Sequence, residues 1–305
     1  MVAGVLPGDL ACGCLSTLIP EEPDPVSVPG PTPGPTEPGP PPGDGLNPED
    51  FLDLRDDPLR PDDFRLSPGQ LAERPGGVRA LAGDDTVTGS VSDELINGNL
   101  GNDLLFGRGG NDTLRGGQDN DAVYGEEGDD ILNGNRGDDL VVGSRGNDLV
   151  RGGQDNDLLI GGEGNDTLIG DFGLDRLVGG SGTDLFVLRT DAASTNPEEA
   201  DIILDFNNDR IGLTADVTVN DLVFQPFTRD LETEVAILQT YTTDDILVLS
   251  ELSLGQLDPN ENGQMEGTFI QQESTGRVLA LVLNATESEL RRAITPVSPE
   301  ILALG

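Results

Sequence analysis

One nine-residue pattern repeats twelve times, without insertion or deletion, between residues 80 and 187. The pattern is G-G-x-G-x-D-x-U-x, in which U is a bulky apolar residue, and GNRGDDLVV and GSRGNDLVR are two consecutive copies. Its sixth position holds Asp in eleven copies and Glu94 in the second copy. So regular a period constrains the fold strongly, because every copy must adopt the same local structure.

Each copy is predicted to form a tight turn followed by a short strand. Nine residues are too few for a helix with a buried face, and only the last three positions favour strand. The glycines permit the positive φ angles that such a turn requires. Because the single apolar residue at position eight cannot form a core alone, successive copies must stack into a solenoid with capped ends.

The stacked aspartates determine the chemistry of this region. Equivalent positions in neighbouring coils lie about 4.8 Å apart, where two carboxylates repel by about 1 kcal/mol in water and about 3.5 kcal/mol at an effective dielectric near 20. A hard divalent cation with an all-oxygen shell fits the gap, and calcium tolerates irregular geometry better than magnesium. The alternative is a set of solvated turn aspartates that bind no metal.

The nonapeptides resemble the RTX (repeats-in-toxin, haemolysin-type) calcium-binding repeats. The resemblance implies an all-β fold, a right-handed parallel β-roll (β-solenoid), in which two copies complete one 18-residue coil and twelve copies make about six coils. It also implies up to about ten Ca²⁺ sites between the turns of copies n and n+2. The ligands it implies are sixth-position aspartates and turn carbonyls, namely Asp85, Asp103, Asp112, Asp121, Asp130, Asp139, Asp148, Asp157, Asp166, Asp175 and Asp184, with the fourth-position glycines Gly101, Gly110, Gly128, Gly137, Gly146 and Gly164.

Three copies depart from the pattern at the turn. The second copy, GSVSDELIN, has Ser92 in place of the fourth glycine and Glu94 in place of the aspartate, so we do not expect a regular site there. The fifth and ninth copies, both beginning GGQDND, place Asp119 and Asp155 at position four, where they either strengthen or distort their sites. The interior copies are therefore the best candidates for calcium binding.

Composition excludes several functions. The net charge of −40 argues against a nucleic acid or an anionic membrane as a direct partner. The chain has no His and no Lys, which removes the Ser-His-Asp triad, His-ligated zinc, Schiff-base chemistry and the Walker lysine. We therefore expect a protein that is not an enzyme, has no cofactor other than calcium, and does not insert into a membrane.

The flanks divide the rest of the chain. Residues 1–48 include a proline-rich stretch, PGPTPGPTEPGPPPGDG, and are expected to be a disordered N-terminal segment or linker. Residues 49–79 form a short N-terminal flank, for which we expect helical turns at most. Residues 1–19 do not make a convincing secretory signal.

Residues 188–305 are predicted to form a C-terminal β-rich capping domain after the repeat domain of residues 80–187. The arrangement D-x-I-x-D-F…D-x-I-x-L at residues 201–213 resembles the segment that caps the β-roll in secreted RTX proteins. Alternating residues predict antiparallel strands at 217–224, 233–240, 244–250, 267–272 and 277–283, with a turn at 273–276. A capping box at Thr286 and Glu289 predicts a short helix that ends before Pro296.

These features favour a secreted, extracellular calcium-binding protein whose folding is coupled to calcium, with a structural or cell-surface role and an unknown surface or matrix partner. The resemblance implies type I export, in which no N-terminal signal is cleaved. The alternative is an RTX module of a secreted hydrolase or toxin that lacks its own catalytic domain in this chain.

Overall fold

The computed structural model describes residues 51–54, 63–71, 77–214, 217–230, 257, 264–297 and 301. Within this part of the chain, strands alternate between two sheets, and the repeats form a parallel β-solenoid. The strands are β1 (Phe51–Asp53), β2 (Asp63–Arg65), β3 (Gly77–Arg79), β4 (Thr86–Thr88), β5 (Leu95–Leu100), β6 (Leu104–Gly109), β7 (Thr113–Gln118), β8 (Ala122–Glu127), β9 (Ile131–Arg136), β10 (Leu140–Arg145), β11 (Leu149–Gln154), β12 (Leu158–Glu163), β13 (Thr167–Phe172), β14 (Arg176–Ser181), β15 (Leu185–Leu188), β16 (Asp201–Asp205), β17 (Arg210–Leu213), β18 (Leu222–Asp230), β19 (Gln264–Gln272), β20 (Val278–Leu283) and β21 (Ile294–Pro296).

Each repeat strand spans the junction between two copies. The strands β5 to β14 all have six residues, which are positions seven to nine of one copy and positions one to three of the next. The strand is thus longer than the three residues predicted, because the glycines at the start of the next copy continue the pairing. Positions four to six form the turn that carries the chain to the other sheet.

Residues that pair between neighbouring strands of a sheet are separated by one coil, which consists of two copies. In the first sheet Leu149 pairs with Ile131 and Thr167, and in the second sheet Leu140 pairs with Ala122 and Leu158, so partners are 18 residues apart. The first sheet has the order β1-β3-β5-β7-β9-β11-β13-β15-β17-β21, and the second has the order β18-β19-β20-β16-β14-β12-β10-β8-β6-β4-β2. The predicted parallel roll of about six coils is confirmed.

A single column of apolar side chains fills the roll. The position-eight residues, from Val87 to Phe186, are all 0 % exposed and belong to one core cluster. Burial of an aliphatic side chain of this size stabilises the fold by roughly 1.5–3 kcal/mol. Since each copy provides one such residue, the core forms only when the copies stack.

The described residues of the N-terminal flank include three short strands as well as a turn at 68–71, so the expectation of helical turns at most is wrong for β1, β2 and β3. Strand β1 pairs in parallel with β3, and β2 pairs in parallel with β4. Arg79 fixes β1 by donating from Nε and Nη2 to the two carboxylate oxygens of Asp53, both at 2.7 Å. The flank forms strands because the first coil has an open edge, whose backbone N–H and C=O groups are best satisfied by another strand.

Both sheets continue beyond the last repeat. Strand β16 pairs in parallel with β14, and β17 pairs in parallel with β15. Strands β20 and β21 then add to β16 and β17, again in parallel. The last coil of the repeats is therefore covered by strands that follow the same direction.

The remaining described strands are antiparallel. Strand β19 pairs with both β18 and β20, and its turn to β20 lies between Gln272 and Val278, which confirms the hairpin predicted at 267–283. The strand predicted at 217–224 begins later, at Leu222, after a 3-10 turn at Val219–Asp221. The strands predicted at 233–240 and 244–250 lie outside the described residues. Helix α1 (Glu287–Ala293) has the predicted capping box, in which Thr286 and Glu289 bond reciprocally.

Candidate metal centre

Positive φ angles occur at position two, near the end of each strand, and at position four, in the turn. The fourth-position glycines Gly101, Gly110, Gly128, Gly137, Gly146 and Gly164 have φ angles of 109° to 145°. A Cβ on any of them would come closer than 3.0 Å to the main-chain carbonyl oxygen of the residue one coil earlier, for example on Gly146 to Gly128 O. Because these glycines leave this space open, turn carbonyl oxygens are stacked along each edge of the roll.

The sixth-position aspartates form two files, one at each edge. The first file runs through Asp85, Asp103, Asp121, Asp139, Asp157 and Asp175, and the second runs from Glu94 through Asp112, Asp130, Asp148, Asp166 and Asp184. In each file, Oδ1 of an aspartate accepts a hydrogen bond from the backbone N–H of the residue one coil earlier, at 2.7–2.9 Å. The predicted aspartates are thus brought together and held at fixed spacing.

The second carboxylate oxygen has no such donor. Within the described residues, Oδ2 is buried without a hydrogen-bond partner in Asp103, Asp112, Asp121, Asp130, Asp139, Asp148, Asp157, Asp166, Asp175 and Asp184. These side chains are at most 3 % exposed, so the alternative of solvated turn aspartates is wrong for them. An unpartnered buried oxygen of this kind is costly, and a charged one is more costly still.

The unpartnered oxygens face an oxygen-lined hollow. In most interior copies, a Cβ on the position-one glycine would lie closer than 3.0 Å to two acceptors at once, Oδ2 of its own copy and the carbonyl oxygen of the position-one glycine one coil later. On Gly98 these two atoms are Asp103 Oδ2 and Gly116 O. Two acceptors that share a space, one of them an Oδ2 atom without a described donor, are suited to a cation.

The ligand chemistry fits calcium. Within the described residues, no group of three or more acidic, His or Cys side chains is arranged to hold a metal, so backbone carbonyls or water must complete any shell. Calcium takes six to eight oxygen ligands, including carboxylates and carbonyls, in flexible geometry. Thiolate and imidazole ligands, which favour transition metals, are absent from this part of the chain.

Burial changes the acidity of the files. It is the main cause that raises the pKa of Asp130 to about 6, of Asp148 to about 7 and of Asp121 to about 9. Donation from a backbone N–H opposes the shift, and the charges of neighbouring carboxylates add to it. Without a cation, the files therefore carry less negative charge at neutral pH than free aspartates would.

The second copy is different, as its sequence suggests. The carboxylate of Glu94 accepts from the N–H of Ser90 at 2.9 Å and from its hydroxyl at 2.5 Å, so both carboxylate oxygens have a donor within the same copy. Glu94 still occupies the file through its own N–H, which donates to Asp112 Oδ1 at 2.7 Å. A cation is not needed to compensate this carboxylate.

The extra aspartates of the fifth and ninth copies point outward. Asp119 and Asp155 hold position four with φ angles of 74° and 77° and are exposed. The charge of Asp119 is one of the lesser causes that raise the pKa of Asp103 and Asp121. The prediction that these residues alter their sites remains a prediction.

Position five carries a second ladder that the sequence reasoning missed. Its side chain accepts from the backbone N–H one coil later, as in Asn147 N to Asp129 Oδ1 at 2.8 Å and Asn165 N to Asn147 Oδ1 at 3.0 Å. The direction is opposite to that of the position-six ladder, and these side chains are exposed. The signal was available, because position five holds Asn or Asp in ten of the twelve copies.

Three aspartates of the capping segment that bond to the last repeats were also missed. Asp201 Oδ1 accepts from Asp175 N at 3.2 Å, and Asp209 Oδ1 accepts from Asp184 N at 3.0 Å, so each continues one file. Asp205 accepts from Gly179 N at 2.7 Å and from Gly180 N at 2.9 Å. The motif was visible in the sequence, but its spacing from the last repeats hides the register.

The comparison with known families agrees with this geometry. The model of the RTX calcium-binding nonapeptide repeat matches residues 78–105, 88–123, 115–150, 124–159 and 151–186. No curated protein matches the chain. Among the described residues, no helix has the length and apolar character needed to span a membrane.

Proposed function

Since residues 78–186 belong to the RTX calcium-binding nonapeptide repeats, we propose that this protein binds several calcium ions between its coils and folds when it meets extracellular calcium. The proposed ligands are the sixth-position aspartates from Asp85 to Asp184, together with turn carbonyls that include those of the fourth-position glycines. In this proposal residues 80–187 hold the ions, and residues 188–305 cap the end of the roll.

One observation carries the proposal. Ten aspartates each present one buried carboxylate oxygen that has no hydrogen-bond partner within the described residues, and a main-chain carbonyl oxygen lies beside most of these hollows. A ladder held only by hydrogen bonds would not leave so many acceptors unsatisfied, because most buried polar groups in folded proteins are paired. A doubly charged ion would compensate both the oxygens and the charge.

Different groups of residues contribute to binding in different ways. The N–H of each file residue holds Oδ1 of the next aspartate and so directs Oδ2 toward the hollow. The position-one glycines keep the hollow open, and the position-eight column keeps the coils at strand spacing. When bound, calcium supplies the positive charge that holds adjacent turns together. Since the hollows exist only when coils stack, binding free energy contributes to folding free energy.

The proposed location is outside the cell. Calcium sites in extracellular modules bind with dissociation constants of roughly 10⁻⁴–10⁻³ M, which suits folding after export. A chain with net charge −40 and many glycines has little to stabilise a metal-free fold. We propose a structural or cell-surface role instead of a catalytic one.

The test is a calcium titration of the full-length chain followed by far-UV circular dichroism, with magnesium at the same concentrations as the control. We expect strand signal to appear cooperatively with calcium and to stay weak with magnesium, because magnesium requires strict octahedral geometry. Equal strand signal in excess chelator and in millimolar calcium would contradict the proposal.

A further inference from the structure

The ladder of the first file extends past the last repeat. Asp201 lies 26 residues after Asp175, yet it makes the file's characteristic bond, in which its Oδ1 accepts from Asp175 N. The N–H of Ile202 donates to Asp175 O at 2.8 Å, as the N–H of Arg176 donates to Asp157 O at 2.8 Å one coil earlier. Asp201 therefore occupies position six of a further coil, although no glycine-rich turn precedes it.

We propose that Asp201 is a calcium ligand, and that the last ion of the first file binds between the repeats and the capping strand β16. The inference rests on the proposed function, because it extends the same row of sites by one. Asp175 is 0 % exposed, and its Oδ2 has no hydrogen-bond partner within the described residues. The carboxyl groups of Asp201 and Asp175 lie within hydrogen-bonding distance of each other, so two acidic groups meet where the repeats end.

The second file ends differently. Asp209 Oδ1 accepts from Asp184 N at 3.0 Å, and its Oδ2 accepts from Asn207 N at 2.7 Å. Both carboxylate oxygens thus have a backbone donor, and these two donors oppose the rise in the pKa of Asp209 that burial causes. For Asp201, the described residues provide one backbone donor, the N–H of Asp175.

This difference gives the cap two kinds of attachment. At the edge that carries the first file, an ion shared by Asp175 and Asp201 ties β16 to β14. At the other edge, hydrogen bonds to Asp209 tie the segment before β17 to β15 and need no calcium. Docking of the cap should therefore depend on calcium at one edge only.

The test compares D201N with D209N in the full-length chain. Both substitutions remove one charge and keep an amide oxygen that can accept the N–H of the preceding coil, so D209N is the matched control. The number of ions bound at saturation is measured by equilibrium dialysis with radioactive calcium. We expect one ion fewer in D201N than in the unsubstituted chain and no change in D209N.

Hydrogen exchange measured by mass spectrometry gives a second readout. In D201N we expect protection of β16 and β20 to require roughly tenfold more calcium, while β8 to β12 become protected at the concentration that the unsubstituted chain needs. Unchanged ion number together with unchanged protection of β16 would overturn the proposal, and a proton shared by the two carboxyl groups would explain their contact. Loss of protection throughout the repeats of D201N would also overturn it, since Asp201 would then be needed for folding in general.

The two proposals fail in different ways. If the unsubstituted chain binds no calcium, the proposed function itself is wrong. If it binds calcium and D201N binds the same number of ions, only the role of Asp201 is wrong.

Discussion

Asp129 and Asp130 are neighbours with the same side chain, but they lie in opposite electrostatic environments. Asp129, at position five, is exposed, and its Oδ1 accepts from the backbone and side-chain nitrogens of Asn147 at 2.8 and 3.0 Å. Asp130, at position six, is 1 % exposed, and one of its two oxygens has no partner among the described residues. Donation from Asn147 lowers the pKa of Asp129, whereas burial raises the pKa of Asp130 to about 6.

The comparison separates two tasks that the repeat places side by side. The position-five ladder keeps the turns in register with ordinary hydrogen bonds, and Asn serves there as well as Asp. In the position-six ladder, the described hydrogen bonds reach only one of the two oxygens of each buried carboxylate. Calcium dependence should therefore come from position six and not from the acidic character of the turns in general.

The largest expected effect is a change in the stability of the metal-free folded chain with pH. For the position-six aspartates from Asp103 to Asp175, the folded pKa values of about 6 to 10 exceed the unfolded value of about 3.9. The folded state therefore binds more protons between those values, and its metal-free stability is fully present below about pH 4 and falls as pH rises. Asp129, with its lowered pKa, contributes in the opposite direction.

In excess chelator we therefore expect strand signal in circular dichroism to increase as pH is lowered from 8 to 5. Dilute samples are needed because the isoelectric point is near 4.1. With calcium present the midpoint concentration should rise as pH falls, since protons compete for the carboxylates. A metal-free chain that is equally unfolded at both pH values would show that the files do not oppose folding by their charge.

A matched pair of substitutions tests the comparison at single residues. D139N removes a position-six charge and keeps an acceptor for Asp121 N, while D138N changes the adjacent position-five residue to the type most common there. We expect the calcium midpoint to rise roughly tenfold, about 1.4 kcal/mol, in D139N and to stay unchanged in D138N. Calorimetric titration measures both. Equal effects of the two substitutions would remove the distinction between the ladders.

The smallest expected effect is the gain of a single site. The double substitution S90G and E94D converts the second copy toward the pattern and removes the donors that now satisfy Glu94. We expect one additional calcium ion per chain in equilibrium dialysis, with the other sites unchanged. The single substitution S92G, which leaves Ser90 and Glu94 in place, is the control and should add none.

The fixed period made part of this structure predictable. The position-eight column and the two aspartate files follow directly from a nine-residue repeat that closes a coil every 18 residues. The sequence could not predict that only one of the two oxygens of each carboxylate has a hydrogen-bond donor, because this depends on the placement of a backbone N–H one coil earlier. Asp201 was also beyond the pattern, since its 26-residue distance from Asp175 breaks the period although β16 still pairs in parallel with β14. The strands of the N-terminal flank have no periodic signal, because the open edge of the first coil induces them.

Anomalous X-ray scattering from crystals grown in calcium tests the central claim most directly. If calcium binds along the files, we expect two columns of calcium peaks with a spacing of about 4.8 Å, each peak close to a position-six Oδ2 atom and to turn carbonyl oxygens. We expect no peaks along the position-five ladder. Ordered files with no anomalous peak beside the Oδ2 atoms, or peaks confined to the exposed position-five side chains, would contradict it.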